Sequence, residues 1–255
     1  MYPVLESVFK QRGYDEETKL WYLFLYTTFY HVGSAERVFE IYPQKVKINP
    51  DKVGAFETGV ERRGFRGNLK WVFLVNELDK YDSMIDFVSP TKRGGMVGWK
   101  EMRLRFEEMK NNGAWSSYKF ADLLAHVMHY PIEADDLGTN PSVLECAEMV
   151  LGLDKKYIKV SGNIQNAFLE SCKKAGVMFT GLDQLETCLC DFHTVLDGRY
   201  YVGNDIDMNM KQIPDKPQFW KARQEVFNHE FLGEKHGYIG ERKPLKKKYL
   251  NTGKL

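Results

Sequence analysis

The sequence lacks several features by which proteins are commonly classified. Its 255 residues contain no run of about 18 apolar residues, so we expect no membrane span. The first residues do not show the basic-then-apolar order of a signal peptide. No G-x-x-x-x-G-K-[ST] pattern is present, which excludes a P-loop kinase. A dinucleotide fingerprint, a zinc motif and a nucleophile elbow are likewise missing.

Cysteine is scarce and dispersed. The four cysteines form no C-x-x-C pair, so we expect no cysteine-ligated zinc or iron–sulfur site. Cys188 and Cys190 lie two residues apart in a helical pattern and point in different directions, which argues against a disulfide between them. This cysteine usage predicts a reducing compartment of the cytoplasmic type.

The charges nearly cancel. Lys and Arg number 36 against 35 Asp and Glu, so the net charge is +1 and a polyanion must be bound by local patches. Hydrophobic residues make up 43% and charged residues 28%, which is typical of globular proteins. Aromatic residues reach 14% and can supply both a core and stacking surfaces.

Helical spacing of apolar residues dominates the chain, and no segment alternates convincingly as a strand does. We therefore predict a mainly α fold of roughly eight to ten helices. Residues 18–41 are apolar on nearly every side and should form two buried helices that divide at Gly33-Ser34, with Ser34 as the cap. We predict one helical catalytic domain over 1–232, whose helices could form two halves, and a basic tail over 233–255.

The region from 90 to 130 predicts two helices joined by a short glycine turn. Trp99, Met102 and Phe106 share one helical face, and Asn111-Asn112-Gly113 ends that helix. A turn of this kind can present backbone N–H groups to a phosphate, although an ordinary helix connection is the alternative. The candidate DNA-binding residues of this region are Lys92, Gly113, Trp115, Ser116 and Lys119.

Three stretches carry a resemblance to a known family. They are LWYLFLYTTFYHVGSAERVFEIYP at 20–43, GNLKW at 67–71 and LETCLCDFHTVLDGRYYVGNDID at 185–207. Together with the region 98–136, they resemble the phage amino acid:DNA transferases, or α-glutamyl/putrescinyl thymine pyrophosphorylases. That family is related to the helix-hairpin-helix DNA glycosylases, whose L-P-G-x-G turn differs here because Trp115 replaces the second glycine. The resemblance implies a DNA glycosylase-like fold with a helix-hairpin-helix-like element.

The resemblance also implies a reaction in thymine hypermodification of phage DNA, in the cytoplasm of the infected bacterial host. A kinase first builds 5-pyrophosphoryloxymethyluracil in the duplex. The transferase then replaces the pyrophosphate with an amine from an amino acid or a polyamine. The expected partners are double-stranded phage DNA and a small amine donor, without a membrane.

This chemistry selects candidate site residues. Departing pyrophosphate needs cationic stabilisation, and the attacking amine must lose a proton to a general base. The target nucleobase must leave the DNA stack to be reached, so aromatic side chains could hold it, with core packing as their alternative role. The candidates for pyrophosphate and base binding are Arg62, Arg66, Arg93, Arg199, Trp99, Tyr200 and Tyr201. The candidates for the general base are Asp135, Asp136, His193 and Asp205.

Two further segments remain open to more than one interpretation. Along the predicted helix 183–196, His193 shares a face with Glu186, Cys190 and Asp197, either a catalytic face or a half-buried polar seam. Asp205 and Asp207 lie two apart on a predicted loop, where they could hold Mg²⁺, bind an amine or make a structural turn. No metal site is otherwise predicted.

The basic tail predicts salt-dependent contact with DNA phosphates through Lys246, Lys247 and Lys248, and a solvated tail is the alternative. Two other functions fit the same residues. A DNA glycosylase would remove a modified base and leave abasic sites. A non-catalytic DNA-binding module would show salt-sensitive binding alone.

Overall fold

A computed structural model describes residues 1–67, 69–137, 141–151, 162–196 and 204–227. The described part is mainly helical, as predicted, with short 3-10 turns and no β-strand; one isolated bridge joins Gly95 to Ile132. No helix in these ranges is long and apolar enough to cross a membrane. The helices are α1 (Tyr2–Arg12), α2 (Glu16–Phe29), α3 (Val32–Ile41), α4 (Lys70–Asn76), α5 (Met84–Phe87), α6 (Gly95–Glu107), α7 (Ala114–His126), α8 (Pro141–Leu151), α9 (Gly162–Lys174), α10 (Leu182–Leu196), α11 (Asn204–Met210) and α12 (Pro217–Val226).

The described residues separate into two compact units. Residues up to 132 and those from 205 onward belong to the first unit, and residues 133–204 belong to the second. The proposed boundary between a domain over 1–232 and a tail over 233–255 stays a prediction, since it lies outside the described residues.

The core of the first unit is built around α2. The Asp15 side chain caps this helix by accepting a hydrogen bond from the Thr18 N–H at 2.9 Å, and every residue from Leu20 to Phe29 is buried. Phe24 packs against three aromatic rings from other elements, with centroids 5.7 to 6.0 Å away: Phe87, Phe106 and Phe120. The uniformly apolar sequence of α2 therefore reflects a helix enclosed on all sides.

The predicted break at Gly33-Ser34 is wrong by about one turn. The first helix ends at Phe29, and Tyr30 adopts a left-handed conformation with φ of 46°. His31, not Ser34, caps α3, because its Nδ1 accepts a hydrogen bond from the Ser34 N–H at 3.1 Å. Gly33 has a packing role instead. A Cβ at this position would lie 2.5 Å from the carbonyl oxygen of Gln212.

The predicted loop at Asp205 is also wrong, because residues 204–210 form α11. Asp207 is fully buried on this helix, and its Oδ1 accepts hydrogen bonds from Arg223 Nη2 at 2.9 Å and Nε at 3.2 Å. This pair joins α11 to α12. The buried ion pair explains why two carboxylates so close in sequence have different surroundings.

In the second unit, α10 confirms the helix predicted over 183–196. Leu185, Leu189 and Leu196 are buried on it, and α8 packs against it. The Leu137 N–H donates a hydrogen bond at 2.8 Å to the side chain of the buried Gln165 on α9. These three leucines thus contribute to the core of this unit.

Candidate functional site

The predicted pair of helices joined by a glycine turn is present as α6 and α7. Asn111 has a left-handed φ of 66°, and Gly113 stands at the N-cap of α7. The Gly113 N–H donates to the Ser116 hydroxyl at 3.1 Å, and that hydroxyl lies 3.3 Å from Asn112 Oδ1. The turn is therefore fixed by its own side chains, and the Gly113 N–H is engaged within it.

Arg62 reaches this turn from the 3-10 helix Val60–Phe65. Its Nη2 donates a hydrogen bond to Asn112 Oδ1 at 3.1 Å, and its Nε donates to the Thr28 carbonyl at 3.0 Å. The guanidinium carbon lies 4.3 Å from the centre of the Phe65 ring. The residue is only 7% exposed, yet no carboxylate among the described side chains pairs with it. Burial lowers the pKa of Arg62 to about 10.

An uncompensated buried cation can bind an anion. Moving a charge from water into protein costs several kcal/mol unless an opposite charge or strong hydrogen bonds compensate it. A guanidinium also presents a planar set of donors that suits phosphate and carboxylate oxygens. Arg62 therefore has the chemistry expected of an anion-binding residue.

The other predicted cations lie in more ordinary surroundings. Arg66 donates hydrogen bonds to the Thr58 carbonyl at 3.0 Å and the Thr58 hydroxyl at 3.1 Å. The exposed Arg93 pairs with Glu101 on α6, and Lys92 beside it is exposed. Hydrogen bonds of this kind fix Arg66 in place, whereas Lys92 and Arg93 belong to the outer surface.

The two predicted tryptophans differ in exposure. Trp99 is fully buried, and its ring packs edge-on against Tyr118 at 5.2 Å, so it cannot stack on an extruded base without unfolding the core. Trp115 is half-buried at the start of α7, with its ring centre 4.8 Å from that of Tyr30. Tyr30 is not among the residues predicted from the sequence, because no glycine or asparagine at this position signals its left-handed backbone.

Asp122 on α7 was also missed. It is only 3% exposed, and its carboxylate accepts a hydrogen bond from the Tyr2 hydroxyl at 2.6 Å. Lys119 lies 3.6 Å and His126 lies 3.5 Å from its oxygens. Burial and the charge of Asp122 raise the pKa of Tyr2 well above its usual value. The four-residue spacing of Asp122 and His126, which places them one helical turn apart, could have indicated this pair in the sequence.

This cluster differs from the other buried carboxylates of the first unit. Glu36 pairs with Arg12 at 2.6 Å, and Asp207 pairs with Arg223, so each is held by an arginine that stays charged. The partners of Asp122 are instead tyrosine, lysine and histidine side chains, all of which can exchange protons. Asp122 with His126 can therefore accept a proton or bind an ammonium group.

The predicted acids are divided between the two units. Asp135 and Asp136 are half-buried in the second unit, whereas Asp205 is exposed on α11. Because Arg223 occupies the carboxylate of the buried Asp207, the structure does not support a shared Mg²⁺ site of Asp205 and Asp207.

On α10, His193 Nε2 lies 3.3 Å from a Glu145 carboxylate oxygen of α8, a partner that sequence spacing alone could not identify. Glu186 on the same helix is buried and Cys190 is half-buried, which matches the half-buried polar seam that was one of the two interpretations. Other predicted residues lie outside the described part of the chain: Asp197, Arg199, Tyr200, Tyr201, Lys246, Lys247 and Lys248.

Comparison with known proteins agrees with the resemblance seen in the sequence. No curated protein matches the chain significantly. A family model described as amino acid:DNA transferase matches residues 1–201. That description implies a transferase whose substrates are DNA and an amino acid. Because the match spans most of the 255 residues, the chain belongs to the amino acid:DNA transferase family.

Proposed function

We propose that the protein replaces the pyrophosphate of 5-pyrophosphoryloxymethyluracil in double-stranded phage DNA with an amine from an amino acid or a polyamine. The bond between the exocyclic carbon and the pyrophosphate oxygen breaks, and its electron pair leaves with the pyrophosphate. A carbon–nitrogen bond forms to the amine, which gives up a proton to a base. The observation that supports this proposal most strongly is the buried Arg62 without a carboxylate partner among the described side chains.

Arg62 suits the departure of pyrophosphate. Negative charge grows on the leaving oxygens as the bond breaks, and a cation held in a low-dielectric site stabilises that charge more strongly than one in water. The hydrogen bonds to Thr28 and Asn112 fix the guanidinium in advance, so little reorganisation is needed. Arg66, Arg93 and Arg199 remain proposed contributors at this step.

The incoming amine is mostly protonated at neutral pH and needs a base before it can attack. Asp135, Asp136, His193 and Asp205 remain proposed bases. The Asp122–His126 pair is proposed as a further base, because its carboxylate and imidazole lie 3.5 Å apart. A buried carboxylate beside a histidine orients the imidazole and stabilises its protonated form.

The target base must leave the duplex to reach such groups. Trp115 is half-buried and meets Tyr30 edge-on, so these two rings are proposed to stack against the extruded base or its neighbours. Tyr200 and Tyr201 keep the same proposed role. Lys92, Lys119 and the turn around Gly113 and Ser116 are proposed to contact DNA phosphates.

A stoichiometric assay tests the reaction. Duplex DNA that carries the pyrophosphorylated base is incubated with the protein and a pool of amino acids and polyamines, and released pyrophosphate is measured. We expect release that requires an amine and leaves the DNA resistant to alkali. Alkali-labile sites would instead indicate a glycosylase, and DNA binding without pyrophosphate release would indicate a non-catalytic binding module.

Arg62→Gln should lower the rate of pyrophosphate release by about 10² to 10³-fold, as expected for the loss of a group that stabilises the transition state. Arg37→Gln is the matched control, because Arg37 is exposed and donates to a backbone carbonyl, that of Ala55. Equal loss in both variants would remove Arg62 from the proposed site.

A further inference from the structure

Two large apolar side chains, Leu69 and Phe73, are exposed on the outer face of α4 and form the α4 patch. Phe73 is 64% exposed, the largest fraction for a large apolar side chain among the described residues of the first unit. Leu69, at the N-cap one helical turn earlier, is 52% exposed. Trp71, midway between them, points into the core and is only 1% exposed. Single exposed apolar residues are common, whereas two on one helix face make a surface that suits an apolar partner.

The helix that carries the patch is anchored to the same end of α2 as Arg62. The Trp71 ring centre lies 5.0 Å from that of Phe29, the last residue of α2. Arg62 Nε donates a hydrogen bond at 3.0 Å to the carbonyl of Thr28, the residue before it. The start of α4 and the buried guanidinium therefore share one attachment point in the first unit.

A second link joins the end of α4 to the turn that Arg62 reaches. Glu77, which follows the helix, accepts a hydrogen bond from the Lys110 N–H at 2.9 Å. Two residues after Lys110, Asn112 Oδ1 accepts a hydrogen bond from Arg62 Nη2 at 3.1 Å. Because α4 is held at both ends by parts of the fold that also bind Arg62, the α4 patch lies in the neighbourhood of the proposed site.

The charges around the patch suit the DNA backbone. Arg66 and Lys70, three residues before and one residue after Leu69, are both exposed. The carboxylate of Glu77, one turn beyond the patch, is bound by Lys80 at 2.9 Å, so its charge is compensated. An apolar surface with cations beside it matches a DNA duplex, in which stacked bases lie between two rows of phosphates.

We infer that Leu69 and Phe73 form a wedge that enters the base stack of the DNA and fills the space left when the target nucleobase swings out. The inference rests on the proposed function for the extrusion of that nucleobase. Leu and Phe are side chains that proteins insert between base steps, and their apolar surface replaces the stacking that the extruded base gives up. Arg66 and Lys70 bind phosphates beside the opened step.

Fluorescence anisotropy of duplex DNA that carries one 5-pyrophosphoryloxymethyluracil, without an amine, tests the wedge in the full-length protein. Leu69→Ala/Phe73→Ala should weaken binding by about tenfold, since one aromatic side chain stacked on a base contributes about 5- to 150-fold to affinity. The matched control is Val97→Ala/Leu104→Ala, which truncates two α6 side chains that are 55% and 52% exposed. This control should bind DNA as the unchanged protein does.

A pyrene nucleotide placed opposite the target distinguishes a wedge from an ordinary DNA contact. Its large ring occupies the space in the stack that the two side chains no longer fill. We therefore expect this DNA to restore most of the affinity that Leu69→Ala/Phe73→Ala loses. The same DNA should not restore binding to Arg66→Gln/Lys70→Gln, because that variant lacks cations that contact phosphates rather than the stack.

Equal affinity of the patch variant and the unchanged protein for the paired duplex would overturn the inference, and so would a loss that pyrene does not relieve. A Tm lower in the patch variant than in the α6 control would also overturn it, because it would show that protein covers the patch. The pyrophosphate assay keeps the two proposals apart. Pyrene-relieved binding without amine-dependent pyrophosphate release contradicts the reaction alone, whereas equal release by the unchanged protein and the patch variant contradicts the wedge alone.

Discussion

At the scale of single residues, the buried charges of the first unit fall into two classes. Asp207 receives two hydrogen bonds from Arg223, so that its charge is compensated within the protein. Arg62 has a carbonyl, an amide oxygen and an aromatic ring around it, none of which carries a negative charge. The first arrangement stabilises the fold, whereas the second costs folding free energy until an anion binds.

Inorganic pyrophosphate should therefore stabilise the protein through Arg62. A ligand that binds only the folded state adds about 2.7 kcal/mol at a concentration 100 times its Kd. We expect the Tm to rise with pyrophosphate in the unchanged protein and in Arg37→Met, but to rise much less in Arg62→Met. Differential scanning fluorimetry over a pyrophosphate titration measures this. An equal rise in all three proteins would contradict an anion site at Arg62.

Asp205 and Asp207 should respond very differently to the same substitution. Asp207→Asn leaves Arg223 buried without its counter-charge and should lower the free energy of unfolding by about 3–5 kcal/mol. Asp205→Asn, on the exposed side of the same helix, should change it by less than about 0.5 kcal/mol. Urea unfolding of the two variants tests this. An Asp207→Asn protein as stable as the unchanged one would contradict the ion-pair assignment.

The sequence identified Arg62 as a candidate because its type and neighbourhood suit phosphate binding, but it could not rank Arg62 above Arg93. Burial separates them, and burial depends on contacts distant in sequence, here with Thr28 and Asn112. Asp122 was missed for the same reason. From the sequence alone, Asp122 would be placed on the exposed side of its helix, because nothing local indicates that Tyr2 on α1 binds its carboxylate.

At the scale of elements, local sequence signals correctly predicted that α6 and α7 are two helices joined by a short turn. A helical apolar face, the stop signal at Asn111-Asn112-Gly113 and a second apolar face predicted α6 and α7 without help from distant residues, although α6 already ends at Glu107, four residues before that signal. The break between α2 and α3 was misplaced, because Tyr30 and His31 create it rather than Gly33. The glycine is needed for the close approach of Gln212, which no local pattern reveals.

The cap of α3 should make this element sensitive to acid. Burial lowers the pKa of His31, so the folded state favours the neutral ring whose Nδ1 accepts from Ser34. The stabilisation is fully present above the pKa of the unfolded chain, about 6.5, and is lost as the pH falls through the lower folded value. The cap contributes about 1 kcal/mol.

His31→Asn keeps a side chain that can cap the helix but removes the titration. We expect the free energy of unfolding to fall less between pH 7.5 and pH 5 in this variant than in the unchanged protein, by about 1 kcal/mol. Urea unfolding at both pH values measures the difference. Identical pH dependence in the two proteins would contradict the role of His31.

At the scale of the whole molecule, a net charge of +1 gives no general attraction to DNA, so affinity must come from local clusters. The basic tail is the densest cluster in the sequence. Each phosphate neutralised by a lysine adds about 0.9 to the slope of log K against log salt concentration. Replacing Lys246, Lys247 and Lys248 with Gln should therefore reduce that slope by up to about 2.7.

Fluorescence anisotropy of labelled duplex DNA over a range of salt concentrations measures this slope. Lys173→Gln/Lys174→Gln provides a control in which exposed lysines are removed elsewhere, at the end of α9. The same slope in the tail variant and the unchanged protein would show that the tail is solvated and does not bind DNA.

The modified nucleoside is the direct product of the proposed reaction, and mass spectrometry of nucleosides detects it. Duplex DNA that carries 5-pyrophosphoryloxymethyluracil is incubated with the protein and a mixture of amino acids and polyamines, then digested to nucleosides. We predict a new thymidine derivative whose mass equals that of an amine joined to the 5-methylene group, formed together with one pyrophosphate. An unchanged nucleoside profile, or loss of the modified base from the sugar, would contradict the proposed transfer.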